Sequence, residues 1–461
     1  MTDRLALALD RASAARLIPG NTLRHMPDSV AALEAMLELI AGARRTVHFE
    51  NYIIRNDRTG RRFAAALADR ARAGVQVRVL YDAFGSIGTS GRFWRDLRRA
   101  GAEVRVFGPL LTSRLLHLLS RDHRKLIVVD GREAMMGGLC IGDEWAGDPQ
   151  RGRLPWRDTM LSVCGPAVAV LEASFARVWA TTGPPLPAGA LVPEAEPCGS
   201  SAMRVIDGVP AQSRAYRAVQ MLAAFAQERL WITDAYLVAP PPLYASLVDA
   251  AKSGVDVRLL LPGTSDIPVV RTFSRIGYRD LLRAGARIFE YRGPMLHAKT
   301  LVVDRGWGRV GSTNLNVSSL LGNYELDIIA ECDSLTEALA AQFRHDAAQS
   351  NEITLVERRR LPARLVRAPK PTTQLPTPVV HKRSRRELQA AAAIALVQVA
   401  GGARRMVAGA AAIPLAVMGA LLLVFPTATS VVLAAITLAM ALGLASYALA
   451  RRRSRRRSDA T

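Results

Sequence analysis

Two short stretches of the chain carry the same reactive side chains at the same spacing. In "DHRKLIVVDG" (residues 122–131) and "LHAKTLVVDR" (residues 296–305), a histidine is followed two positions later by lysine and seven positions later by aspartate. The sets are His123, Lys125 and Asp130, and His297, Lys299 and Asp304. Side chains at i and i+2 of a strand share a face, so each histidine projects beside its lysine. A single copy would be ordinary surface chemistry. Small-residue turns, "GGLC" from Gly137 and "GSTN" from Gly311, begin seven residues past each aspartate and make coincidence a poor explanation for two copies. Two imidazoles and two ammonium groups facing each other form a compact cationic pocket suited to a phosphodiester. A neutral imidazole can attack phosphorus to give a phosphohistidine, while a protonated one donates to the leaving oxygen. An unperturbed imidazole pKa of about 6.5 makes both protonation states accessible near neutrality. The lysines would hold nonbridging oxygens, each charge-assisted bond being worth about 1.5–3 kcal/mol. The sequence has no carboxylate cluster of the kind a two-metal phosphodiesterase needs, so neither a metal nor a cofactor is expected.

Strands must present those pairs, and the body of the chain supplies them twice. "RARAGVQVRVLY" (70–81) is answered by "AAKSGVDVRLLL" (250–261), and "RDLRRAGAEVRVF" (95–107) by "RDLLRAGARIFEY" (279–291), before the histidine segments follow. Runs such as "VQVRVLY" and "VDVRLLL" are short, β-branched and bounded by Gly or Asp, as buried strands are. "GRRFAAALADRARAG" and "PPLYASLVDAAKSG" have helical spacing and end at glycine. Each half reads helix, strand, helix, strand, strand, which predicts an α/β architecture of two similar units at 20–185 and 200–357. The Pro- and Ala-rich stretch at 181–201 is the seam between them.

Composition separates this body from the C-terminal region. The 461 residues are 50% hydrophobic, enough for a substantial core, and carry a net charge of +21. From Arg358 onward there are eighteen Lys and Arg against two acids, so only about +5 belongs to the first 357 residues. The longest uncharged run, 406–450, suits two membrane spans with a turn near "FPTATS", since one span needs about 20 apolar residues. Arginines flank both ends of the run, which places both ends in the cytoplasm. The N-terminus reads as neither a signal peptide nor a first span, so the body and both termini are expected to be cytoplasmic. Residues 358–405 read as a basic, Pro-containing linker that either lies on anionic lipid or only sets topology. Cys140, Cys164, Cys198 and Cys332 form no CxxC, which fits a reducing compartment without structural zinc.

The duplicated motif resembles that of the phospholipase D superfamily, and from about Asn21 to Glu357 the chain is similar to the bacterial cardiolipin synthases within it. Besides the motifs, "FENYIIRNDRTGRRFAAAL", "VRVLYDAFGS", "GGLCIGDEW", "WRDTM", "LLPGTSD", "EYRGPMLHAKTLVVD" and "GSTNLNVSSLLGNYELD" look like segments of those enzymes in the same order. The resemblance implies two phospholipase D-like α/β units related by pseudo-twofold symmetry. It implies His123 as nucleophile and His297 as general acid, with both lysines and both motif aspartates counted in the catalytic set. The aspartates are expected to brace strand ends more than to touch substrate. Ser312 and Asn314 match phosphate-holding positions, Glu325 matches a carboxylate that pairs with a catalytic histidine, and Asp158 looks like its counterpart in the first half. Cys140 stands where an Asn is usual, Met160 where a His is common and Ser318 where an Arg is common. These departures bear on substrate and acceptor choice.

The implied activity is transfer of a phosphatidyl group between phosphatidylglycerol molecules at a bacterial inner membrane, giving cardiolipin and releasing glycerol. Phosphatidylglycerol, other anionic phospholipids and the membrane itself are the expected partners. A hydrolytic phospholipase D is the nearest rival. A nuclease of the superfamily would want a basic face on the body, whereas most of the excess charge lies beyond it, so no nucleic-acid partner is expected. A lipid-binding scaffold with a defunct site would not need intact His, Lys and Asp in both copies. His117 lies in an insertion that the second half lacks, whose paired leucines are either a lipid-facing lip or helix core.

Overall fold

A computed structural model describes residues 2–109, 120–191, 195–358 and 361–367. The first half contributes β1 (Ile18–Met26), β2 (Thr46–Asn51), β3 (Gln76–Asp82), β4 (Glu103–Phe107), β5 (Lys125–Val129), β6 (Glu133–Gly137) and β7 (Met160–Cys164). The second contributes β8 (Ser201–Gly208), β9 (Arg229–Thr233), β10 (Asp256–Pro262), β11 (Arg287–Tyr291), β12 (Thr300–Val303), β13 (Trp307–Gly311), β14 (Glu325–Glu331), β15 (Ser350–Arg358) and β16 (Leu361–Arg367). These sixteen strands form one sheet, ordered β16-β15-β11-β10-β9-β12-β13-β14-β8-β1-β7-β6-β5-β2-β3-β4. Outward from the β8–β1 pair, each half reads in the same order, and the second adds β15 and β16 at its edge. Within each half the three strands joined by helical crossovers are parallel, and the histidine-bearing strand is antiparallel to them.

The α/β architecture and the duplicated strand order follow the sequence. The pattern predicts three strands in each half, whereas among the described residues the halves have seven and nine. Among the strands it misses, β1 contains Pro19 and Gly20, and its pairing with β8 shifts register between Ile18 and Asn21. Local pattern reads such a segment as a turn. The β1–β8 pair joins the halves into one sheet. Residues 361–367, at the start of the expected linker, pair with β15 as β16, with Ile353 opposite Arg367. Among the described residues no helix is long and apolar enough to cross a membrane. The hairpin expected at 406–450, the rest of the linker and the insertion around His117 lie outside the described residues.

Three apolar clusters hold the sheet. One packs the first half against its outer helices through residues such as Phe49, Phe63 and Trp94, and one does the same for the second through Leu247, Leu259 and Ile288. The third is shared. Helix Ala167–Thr181 follows β7 yet reaches β8, and helix Asp333–Ala348 follows β14 yet reaches β1, so Phe175, Trp179, Leu339 and Phe343 belong to one core. Its burial ties the two histidine segments to a single rigid layer.

The aspartates of the two motifs brace the far ends of their strands. Asp130 accepts hydrogen bonds from the backbone N–H groups of Arg44, Arg45 and Thr46 at 2.9, 2.7 and 2.8 Å, fixing the start of β2. Asp304 does the same for Gln227, Glu228 and Arg229 before β9. Both sit in the left-handed region, with φ of 55° and 48°, which short polar side chains tolerate best among non-glycine residues. Both thus brace strand ends, as expected of them. Asp130→Ala or Asp304→Ala should lower unfolding free energy by about 1–2 kcal/mol, measured by denaturant titration, without changing the pH dependence of activity.

Candidate active site

Each histidine precedes its strand, at the end of the sheet where the parallel strands finish; Asn51, the last residue of β2, is opposite Lys125. Here the two halves exchange partners. The His123 N–H donates to the Tyr324 carbonyl at 3.0 Å, and the Tyr324 N–H donates to the Arg121 carbonyl at 2.8 Å. At the equivalent place the His297 N–H donates to the Arg157 carbonyl at 2.7 Å, and the Arg157 N–H donates to that of Met295 at 2.9 Å. Each motif is thus stitched to the segment of the other half that carries a carboxylate. His123 Nδ1 lies 3.0 Å from Glu325 Oε2, and His297 Nδ1 lies 2.6 Å from Asp158 Oδ2. With Nδ1 bound to a carboxylate, Nε2 of each ring is the nitrogen left for chemistry.

The carboxylates are themselves held, by different means. Ser312 Oγ donates to Glu325 Oε2, and Asn323 Nδ2 approaches Oε1 at 3.5 Å. Asp158 receives Trp145 Nε1 at 2.9 Å and the Thr159 N–H at 2.8 Å. The first-half counterpart of Ser312 is Gly138, where a β-carbon would collide with Asp158 Oδ1. The shorter acid with a glycine and a tryptophan therefore replaces the longer acid with a serine. The Ser312 hydroxyl donates to Glu325 and so positions that carboxylate. Asn314 is 3% exposed; its Oδ1 has no partner among the described residues, and its Nδ2 makes only a 3.4 Å contact with Ser319. Its amide is the group of this pair left to meet a ligand.

Lys125 Nζ and Lys299 Nζ each donate to the carbonyl of their own motif histidine and lie 5.0 and 5.9 Å from the ring centres of Tyr52 and Tyr236. Tyr52 also packs edge-on against His123 at 4.8 Å, and Tyr236, whose hydroxyl donates to Asp266, against His297 at 5.9 Å. Trp145 and Trp156 complete the cage around His297 at 5.5 and 5.8 Å. Sequence reasoning missed this aromatic wall, although "FENYI" and "TDAYL" place a tyrosine just past β2 and just past β9. Cys140 is fully buried where the second half has Asn314, and burial pushes its thiol up while both lysines pull it down. Met160 is buried on β7 opposite Met26, and Ser318 opens a short helical turn. His48 lies in the core, stacked on Phe175 and next to Arg78 and Glu172. His25 is half-buried and His345 is exposed.

Electrostatics corrects the expectation of two freely titrating imidazoles. Burial lowers His123, with Glu325 opposing and Lys125 adding to the shift. Burial and Lys299 lower His297 to about 4 against the pull of Asp158. Burial lowers Lys299 to about 8. Burial would raise Asp158, but the His297 bond and Lys299 outweigh it and bring the carboxyl down to about 2; Glu325 is lowered by its own histidine in the same sense. The empty site therefore favours neutral imidazoles beside ionised carboxylates. An arriving phosphodiester anion would raise both rings toward protonation.

The duplication seen in the fold recurs in the family comparison. The family model described as the PLD-like domain of cardiolipin synthase matches residues 36–144 and again 220–347. The chain belongs to the cardiolipin synthase family of the phospholipase D superfamily. Cardiolipin synthase A of Pseudomonas aeruginosa is 35% identical over 357 residues, 76% of this chain and 72% of that protein. The cardiolipin synthase of a Geobacillus species is 33% identical over 342 residues, 72% of this chain and 67% of that protein. The phosphatidylserine synthase of Haemophilus influenzae shares the fold, with a TM-score of 0.58 at 14% identity over 75% of this chain and 90% of that one. Membership makes the chain a phospholipase D-type phosphatidyltransferase.

Two outcomes are expected. Asp158→Asn and Glu325→Gln should each lower kcat by on the order of 10²–10⁴ in a lipid-transfer assay, by releasing the ring they orient. Because the unfolded chain protonates its histidines near 6.5 and the folded one resists, stability should fall as pH drops from 6.5 toward about 4. Thermal unfolding of His297→Gln should show a shallower loss across that window.

Proposed function

We propose that the chain makes cardiolipin from two molecules of phosphatidylglycerol. His123 Nε2 attacks phosphorus, the bond to the headgroup glycerol breaks, and protonated His297 gives that oxygen its proton. The hydroxyl of a second phosphatidylglycerol then attacks the phosphohistidine, returning a proton to His297 and releasing His123. Glu325 and Asp158 hold the two rings and stabilise whichever is cationic. Lys125, Lys299 and the Asn314 amide bind the nonbridging oxygens as charge develops. The observation that carries this reading is the reciprocal pairing of each histidine with the carboxylate of the other half, which leaves both Nε2 atoms free within one buried cationic site.

The two halves, 20–185 and 200–357, act as one catalytic body related by a pseudo-twofold axis near the β1–β8 pair. Residues 406–450 form a hairpin of two membrane helices, with the body and both ends on the cytoplasmic side of the bacterial inner membrane. A membrane anchor on the same chain suits an anionic lipid substrate that stays in the bilayer. The small excess charge of the first 357 residues disfavours a nucleic-acid substrate.

Expression in a bacterial host lacking its own cardiolipin synthases tests the reading by lipid profile. New cardiolipin is expected from the wild type and none from His123→Ala or His297→Ala. Accumulation of phosphatidic acid without cardiolipin would mean that water takes the phosphatidyl group instead. A reporter fused after Thr461 should be cytoplasmic; an external signal would exclude the hairpin.

A further inference from the structure

The surroundings of the two histidines differ in one respect that the reaction does not explain. His123 is flanked by Asp122 and Arg124, whereas His297 is flanked by Leu296 and Ala298. Glu50 of β2 is opposite Leu126 of β5, so strand alternation turns Glu50, Asp122 and Arg124 to the face opposite His123 and Lys125. All three are fully buried. Neither oxygen of Glu50, nor Oδ2 of Asp122, accepts a hydrogen bond from an N–H or O–H group among the described residues. An ionised carboxylate is only an acceptor, so two of them buried side by side repel unless one carries a proton.

We propose that Glu50 and Asp122 hold one proton between them beneath His123, and that this carboxyl–carboxylate pair positions the attacking histidine. The inference rests on the assignment of His123 as nucleophile. Burial, reinforced by Asp122, holds the Glu50 carboxyl well above its usual range, and burial pushes Asp122 up to about 7 with Arg124 opposing. The charged groups nearest the pair are then matched by opposite ones. Its single negative charge faces Arg124, whose guanidinium also binds Asp207 of β8, and Asp207 in turn receives Arg177 at 2.6 Å. Asp82, at the end of β3, lies 3.6 Å from Arg121, and the Arg124 guanidinium lies 5.6 Å from the Tyr324 ring. Farther along β2, His48 faces Glu172 at 3.2 Å. A second ionisation of the pair would leave one uncompensated negative charge behind the nucleophile.

The route to His123 is short. The Asp122 N–H donates to Asp82 Oδ2 at 3.0 Å, and Asp122 Oδ1 takes the Arg124 N–H at 3.4 Å. Between them the His123 N–H is held by Tyr324, and its carbonyl by Lys125. In the proposed pair Glu50 anchors Asp122 Oδ2, which has no donor of its own among the described residues.

Glu50→Gln and Glu50→Leu in the full-length protein test the pair, because the amide donates to Asp122 at every pH and leucine cannot. Glu50→Gln should keep kcat within about threefold of wild type, and Glu50→Leu should lose about tenfold or more with KM little changed. Wild-type kcat should fall on the alkaline side as both the pair and Lys299, lowered to about 8, give up protons, and Glu50→Gln should keep only the limb that belongs to Lys299. In the unfolded chain Glu50 ionises in the ordinary carboxylate range. Folding must therefore take up a proton, and the wild type should lose stability as pH rises. The Tm difference between Glu50→Gln and wild type should widen as pH rises above the ordinary carboxylate value of 4.5. A gap that is independent of pH, or a glutamine variant as impaired as the leucine one, would overturn the proposal. The Tm measurement stands without activity, so absence of lipid transfer by the wild type would refute the proposed function and leave the pair to be judged by its Tm.

Discussion

The structure depends on an exchange: each half of the chain supplies the carboxylate that holds the histidine of the other. Glu325 reaches back 202 residues to His123, and His297 reaches back 139 to Asp158. A histidine in a buried, cationic site has little reason to keep one orientation unless Nδ1 is anchored, and two lysines nearby favour the neutral ring. The exchanged carboxylates meet both demands. They also make the halves interdependent, because neither motif has its bracing acid within its own half. The continuous sheet through β1 and β8 and the shared core under Phe175 and Phe343 hold the exchange in register. The charged site therefore rests on apolar burial that spans the seam.

Duplication has not produced two equal sites. One acid is a glutamate steadied by Ser312, the other an aspartate steadied by Trp145 with Gly138 making room. His297 sits in an aromatic cage, while the face behind His123 holds buried charge. Cys140 takes the place of the Asn314 amide, so the two halves differ in the polar groups at this position. A displacement in which one imidazole attacks and the other shuttles a proton has no use for identical environments.

How much of this the sequence disclosed depends on the range of each interaction. His-x-Lys on a strand and the repeated Gly turns are local patterns, and they located both motifs and the α/β alternation. Asp130 and Asp304 matched the spacing but serve the backbone at the far end of their strands, because a motif records what recurs and not what touches the ligand. Ser312 was legible as a small polar residue near phosphate, yet its partner Glu325 is visible only once β13 and β14 pair. The exchange of acids between halves, the tyrosines over the lysines and the depressed imidazoles arise from contacts between distant segments. No window of the sequence contains them. β1 was hidden by its own proline, glycine and bulge, although it is the strand that joins the halves.

Proton NMR of the full-length protein with isotope-labelled histidine tests the exchange most directly. An imidazole Nδ1–H donated to a buried carboxylate resonates far downfield, so such a signal is expected from each motif histidine, assigned by His123→Gln and His297→Gln and told apart from any signal of His48 beside Glu172. Glu325→Gln should abolish the His123 signal alone, and Asp158→Asn the His297 signal alone. Loss of the signal from the histidine in the same half as the substituted acid would contradict the account.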